Sequence, residues 1–165
     1  GKGQTWLGNN RALDLAVGGW SLNVVTYVQT GFPLAITQPN QNGILGASVQ
    51  RPNLTGQSFN SVTGDKLFQW INPAAFSAVP SFAFGNAPRV IDYRMPGQDN
   101  VDLSLFKSFP IHERLKAQFR AEALNAFNTP MFGRPDTNFN TPNFGRVTTQ
   151  RNFPRLIQLG IRIYF

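Results

Sequence analysis

The fold of this chain is decided by its last stretch, Arg155-Leu156-Ile157-Gln158-Leu159-Gly160-Ile161-Arg162-Ile163-Tyr164-Phe165. Every odd position from 157 to 165 is apolar, whereas the even positions from 158 to 164 are polar, small or amphipathic. Successive side chains of a β-strand point to opposite faces, so this alternation predicts a strand over residues 154–165. One face of that strand is apolar and the other is not.

A strand with two such faces suits two environments. In a soluble sandwich the apolar face turns to a core and the polar face to water. In an outer-membrane barrel the apolar face turns to lipid and the polar face to the lumen. The alternation alone leaves both open. Phe165 favours the barrel, because soluble chains usually end in a frayed polar tail. The charged fraction of 14% also lies below the roughly 25% of soluble domains.

Alternation predicts further strands over residues 20–36 and 100–109, the first of them rich in β-branched and aromatic residues. Trp20 stands at the start of the first strand. That position suits an aromatic girdle of a barrel, and it suits a buried core tryptophan equally well.

Residues 114–127 give two conflicting signals. They are rich in strong helix formers, which predicts an amphipathic helix. Read with period two, however, Leu115, Ala117, Phe119 and Ala121 fall on one face, and the charged and amide side chains fall on the other. The residues themselves leave helix and strand open here.

Two long segments, 37–99 and 128–153, show no sustained periodicity. The first contains six dispersed prolines, and a structureless loop of that length argues against a compact soluble domain. The barrel rule allows long loops on the external side only. An eight-residue motif at 127–134 recurs at 139–146, which predicts ordered turns set by asparagine and proline, with each phenylalanine packed locally.

Composition excludes several functions. The chain has no cysteine and one histidine, His112, so thiolate and multi-histidine metal sites are excluded. We expect neither a catalytic constellation nor a cofactor, because His112 lies in a predicted tight turn with nothing to orient it as a base. The net charge of +7 comes from scattered cations without a basic run, which argues against nucleic-acid binding. We therefore predict that the protein is not an enzyme.

The polar faces of the last two predicted strands carry Arg120, Glu122, Gln158 and Arg162. In a barrel these side chains face the lumen and can pair there. In a soluble protein they form an exposed ladder worth a few tenths of a kcal/mol for each pair.

Seven motifs occur along the chain in a fixed order. They are Gly18-Gly19-Trp20-Ser21-Leu22, Gln29-Thr30-Gly31-Phe32-Pro33, Asn72-Pro73-Ala74-Ala75-Phe76, Gly85-Asn86-Ala87-Pro88-Arg89, Asn100-Val101-Asp102-Leu103-Ser104-Leu105-Phe106-Lys107, Gln118-Phe119-Arg120-Ala121-Glu122-Ala123-Leu124-Asn125-Ala126-Phe127-Asn128 and Gln158 to Phe165. Together they resemble the C-terminal barrel segment of Oar-like TonB-dependent outer-membrane receptors, which carry an N-terminal carboxypeptidase-regulatory-like domain.

The resemblance implies an all-β fold of antiparallel up-and-down strands forming part of a transmembrane barrel of about 22 strands with long external loops. It favours a strand over residues 114–127. It implies energised passage of a bulky ligand across the bacterial outer membrane. The implied partners are outer-membrane lipid, the rest of the barrel and its plug, and a TonB-type energising protein that acts through a part of the protein absent here.

The resemblance also implies that Ile161, Ile163 and Phe165 form the signal read by the barrel-assembly machinery. Because the sequence begins at Gly1 without a signal segment, we expect a processing or fragment boundary there. The alternative is a secreted or surface-exposed β-rich structural or adhesive module, and dependence on detergent separates the two.

Overall fold

The computed structural model describes residues 16–40, 47–60, 68–112 and 115–165. Most of the predicted boundary region near Gly1 therefore lies outside the described residues, as do Glu113 and Arg114. The strands in these ranges are β1 (Trp20–Gln29), β2 (Pro33–Leu34), β3 (Gln38–Pro39), β4 (Val49–Gln50), β5 (Asn53–Leu54), β6 (Phe76–Ser77), β7 (Ile91–Arg94), β8 (Gln98–Pro110), β9 (Lys116–Leu124) and β10 (Leu156–Tyr164). A turn of 3-10 helix, Pro73–Ala75, precedes β6.

The chain forms two compact units. We call residues 1–27, 99–129 and 153–165 the sheet unit, and residues 28–98 and 130–152 the loop unit.

The sheet unit is built on one four-stranded sheet in the order β1-β8-β9-β10. β9 pairs antiparallel with both β8 and β10, and β10 pairs with β9 along its whole length, from Leu156↔Leu124 to Tyr164↔Lys116. Each of these strands thus lies beside the next long strand of the chain. The predicted all-β, antiparallel, up-and-down arrangement is confirmed.

The register places residues of like character on the same face, because directly paired residues of antiparallel strands point the same way. Ile161 pairs with Phe119 and Ile163 with Ala117, whereas Arg162 pairs with Gln118. The apolar face of β10 is not packed against a core, since Leu159 and Ile161 remain 67% and 74% exposed. A soluble sandwich would bury this face.

Strand boundaries differ from the predicted ones at several points. Residues 114–127 contain a strand, as the resemblance implied, but it stops at Leu124 because Asn125 adopts a left-handed conformation with φ 50°. The strand predicted over 20–36 ends at Gln29, and Pro33–Leu34 belongs instead to a separate pair with β7. Gly31 and Pro33 interrupt the ladder, because proline has no N–H to donate. A Cβ at Gly31 would stand 1.8 Å from the Met95 carbonyl oxygen, so that position requires glycine.

Asn125 closes the sheet unit where β9 ends. Its backbone N–H donates to Asp102 Oδ1 at 2.8 Å. Its side-chain amide donates to the carbonyls of Thr129 and Phe153, both at 3.1 Å, and its Oδ1 accepts from the Thr129 N–H at 2.8 Å. One buried side chain therefore ties the end of β9 to the segment that leads into β10.

The loop unit has a hydrophobic core of its own, which the sequence did not predict. Among the described residues, every buried hydrophobic side chain belongs to this unit. The core cluster consists of Leu34, Ile36, Ile71, Ala75, Phe76, Ile91, Met95 and Phe144. Residues 37–99 have no sustained periodicity, yet short strand pairs order much of their described part. Residues 128–153 contain packed phenylalanines, as expected of an ordered loop.

The two copies of the repeated eight-residue motif lie in different environments. In the second copy Phe139 and Phe144 pack edge to face at 5.2 Å and close the core. In the first copy Phe127 is 71% exposed, so the expectation that each phenylalanine packs locally is wrong there. The asparagine at the second position is left-handed in both copies, with φ 54° at Asn128 and 72° at Asn140. The motif thus preserves its turn and not the environment of its phenylalanines.

Tyr93 links β7 to the rest of the loop unit. Its hydroxyl lies 2.8 Å from Asn60 Oδ1 and 2.9 Å from the Trp70 carbonyl oxygen. Burial raises the pKa of the Tyr93 phenol above its ordinary value of 10.0, because desolvation disfavours the phenolate.

We expect Tyr93 to ionise above its ordinary pKa. The loop unit then keeps the contribution of the neutral phenol below pH 10 and loses it as the pH rises through the raised folded-state value. A tyrosinate absorbance titration of the wild type minus that of Tyr93→Phe isolates this group. A difference curve centred at or below the ordinary value contradicts the prediction.

Candidate functional site

The candidate site lies on the polar face of β9 and β10. Strand alternation brings Arg120 and Glu122 of β9 to this face, and the register sets Gln158 directly opposite Glu122. Arg162 lies four residues further along β10, on the same face and opposite Gln118. The four residues predicted to share a polar face therefore do share one.

Arg120 is the centre of this group. Its Nη2 lies 3.4 Å from Glu122 Oε1, and its guanidinium stands over the Phe106 ring at 4.6 Å from the ring centroid. The Nε atom of Arg120 is buried without a hydrogen-bond partner. Gly160, which pairs with Arg120, leaves open space where a side chain would stand. One guanidinium N–H is thus left unsatisfied beside an empty position.

These residues border a cavity of about 280 Å³. Its lining includes all four predicted residues, together with Gly160. Two guanidinium groups and one carboxylate leave the site with an excess positive charge, which suits an anionic group. The Arg120–Glu122 pair is roughly one third exposed, so its net contribution to stability is only about 0–1 kcal/mol.

The residues predicted as an assembly signal lie on the apolar face. Ile161 and Ile163 follow the alternation of β10, and Phe165 lies one residue beyond the strand with 98% of its surface exposed. The structure keeps their side chains on the face opposite to Arg120 and Arg162.

Sequence reasoning missed Lys107. It shares the apolar face of β8 with Leu105 and is only 3% exposed. Its Nζ donates to the carbonyls of Ala16, at 3.3 Å, and of Gly18, and it stands 5.1 Å from the centroid of the Trp20 ring. The sequence feature that could have revealed it is a charged residue at a position of β8 where the alternation calls for an apolar one.

We predict that Lys107→Met destabilises the protein by about 1–3 kcal/mol, because it removes the charged donor that binds the Ala16 and Gly18 carbonyls. The measurement is the temperature at which the assembled protein loses its folded mobility in heat-modifiability electrophoresis. Lys116→Met, at an exposed lysine of β9, is the matched control. Equal transition temperatures for the two variants would contradict the anchoring role of Lys107.

Among the described residues, no helix is both long enough and apolar enough to cross a membrane. The apolar face of β10 remains largely exposed, and the opposite face of β9 and β10 carries charged groups. This is the division expected of a wall between lipid and an aqueous lumen.

Comparison with known protein families agrees with this geometry. The family model described as "Outer membrane beta barrel domain" matches residues 1–158. The chain therefore belongs to the outer membrane β-barrel domain family, is a bacterial outer-membrane protein and associates with membrane lipid. The searches of curated proteins and of solved structures return no match.

Proposed function

We propose that this chain is the C-terminal barrel segment of an Oar-like TonB-dependent receptor, which passes a bulky ligand across the outer membrane without covalent catalysis. The polar face of β9 and β10 carries this proposal. Arg120, Glu122, Gln158 and Arg162 share this face and border one cavity. Charged and amide side chains on one face of a strand pair, opposite an apolar face, suit the aqueous lumen of a membrane barrel.

In this assignment the polar face is the lumen wall and the apolar face meets lipid. Arg120 and Arg162 are then fixed positive groups inside the lumen, where they are available to acidic groups of a plug or of a passing ligand. The resemblance described above supplies the TonB-dependent class. The family match supports the coarser statement of an outer-membrane barrel.

The test of this function is energisation. We expect the open reading frame upstream of Gly1 to encode a plug and a short periplasmic box. The full-length protein should then bind the purified periplasmic domain of a TonB-type protein, and deletion of the box should abolish that binding. A soluble enzyme domain upstream, or TonB binding that survives deletion of the box, would sink the proposal.

We also propose that Ile161, Ile163 and Phe165 are read by the barrel-assembly machinery. They lie on or directly after β10, an edge strand of the sheet, and each is at least half exposed. An edge strand offers its unpaired backbone N–H and C=O groups to a strand of another protein, and exposed apolar side chains on its face add specificity.

Phe165→Ala should lower the amount of assembled protein in the outer membrane several-fold at equal synthesis, because it removes the aromatic end of the proposed signal. The assembled fraction is measured by heat-modifiability in membrane extracts. Phe153→Ala is the matched control, since Phe153 is also highly exposed, at 88%, but lies before β10. Equal assembly of both variants would count against the signal.

The alternative, a surface-exposed adhesive module, requires a soluble and monodisperse protein in the absence of detergent. The largely exposed apolar side chains of β10 argue against it, because contiguous apolar patches of this kind associate in water.

A further inference from the structure

The loop unit contains a cavity that the proposed transport function does not explain. Its volume is about 310 Å³, which lies at the lower end of the range for small-molecule sites. Val49, Arg51, Phe82 and Phe84 contribute to its wall, and Thr37 and Gln50 add polar atoms. We call it the Phe82–Phe84 pocket.

Two phenylalanine side chains in this wall are strongly exposed. Phe82 is 83% exposed and Phe84 is 78% exposed, whereas the core of the same unit buries Phe76 and Phe144. Phe82 also adopts a left-handed backbone conformation with φ 62°. Such a conformation is costly for a bulky residue, and strained residues of this kind cluster at functional sites.

The segment that carries these rings is firmly held. A Cβ on Gly85 would stand 1.8 Å from the Arg51 carbonyl oxygen, so this position requires glycine. Asn86 Oδ1 accepts from the Leu54 N–H at 2.7 Å, and Asn53 Oδ1 accepts from the Asn86 N–H at 3.1 Å. The backbone that follows Phe84 is therefore fixed, which reduces the ordering cost of binding at this ring.

The charge in the pocket wall favours a ligand of negative charge. Among the described residues that line the pocket, Arg51 is the only ionisable one, and it forms no ion pair within the described ranges. A guanidinium beside aromatic surfaces suits a planar apolar group that carries a carboxylate.

We propose that the Phe82–Phe84 pocket binds an aryl carboxylate, with the aromatic ring against Phe82 and Phe84 and the carboxylate at Arg51. Because it would recognise the transported ligand, its biological role rests on the proposed receptor function. Binding itself does not depend on that function.

The test uses the full-length protein in detergent and para-trifluoromethyl-phenylacetate as the probe, followed by fluorine NMR. We expect saturable binding that weakens about fivefold or more in Phe84→Ala and in Phe82→Gly. Glycine is chosen at position 82 because it removes the ring and tolerates the left-handed backbone. Phe153→Ala is the control for loss of an exposed ring elsewhere.

Charge recognition is tested with Arg51→Gln and with the neutral probe para-trifluoromethyl-phenylacetamide. Arg51→Gln should weaken the carboxylate several-fold and leave the amide unchanged, whereas Arg89→Gln, at another exposed arginine of the loop unit, should alter neither. No saturable binding, or binding that none of the pocket variants changes, would overturn the proposal. If the full-length protein binds the probe but not the TonB-type protein, the proposed receptor function is wrong and the proposed pocket is not.

Discussion

The register between β9 and β10 is the constraint on which both faces of the sheet depend. Side chains alternate with period two, so a slip of one residue would move Arg162 onto the apolar face and Ile161 onto the polar one. Charged side chains at lipid-facing positions are costly, which makes such a slip unfavourable in a membrane. Backbone hydrogen bonds that join Ile111 and His112 to Leu115 hold one end of β9, and the Asn125 hydrogen bonds hold the other.

The two units are stabilised by different interactions. In the sheet unit, Leu159 and Ile161 remain exposed, and order comes from backbone hydrogen bonds that lipid cannot replace. In the loop unit, Ile71 and Phe76 are buried in a water-excluding core, as in an ordinary soluble domain. In the first unit the apolar residues thus form an outer surface that suits lipid. In the second unit they form an interior.

The parts that could be predicted are those specified locally. Alternation alone indicated β8 and β10, and it placed Gln158 and Arg162 on one face of β10. Arg120 and Glu122 were assigned to the same face only once the resemblance favoured a strand over residues 114–127. β9 could not be decided by propensity, because its alanines, glutamate and glutamine also favour a helix. The core of the loop unit had no local signal, since its members come from segments without periodicity. Lys107 was missed because its carbonyl partners lie 91 and 89 residues away in the chain.

The chain passes between the two units at four positions, after residues 27, 98, 129 and 152. Because all the buried hydrophobic side chains of the described ranges lie on one side of these divisions, a truncating substitution in the hydrophobic core removes contacts from the loop unit and none from the strand pairs β8–β9 and β9–β10. Cavities left by such substitutions are thus confined to one unit of the chain.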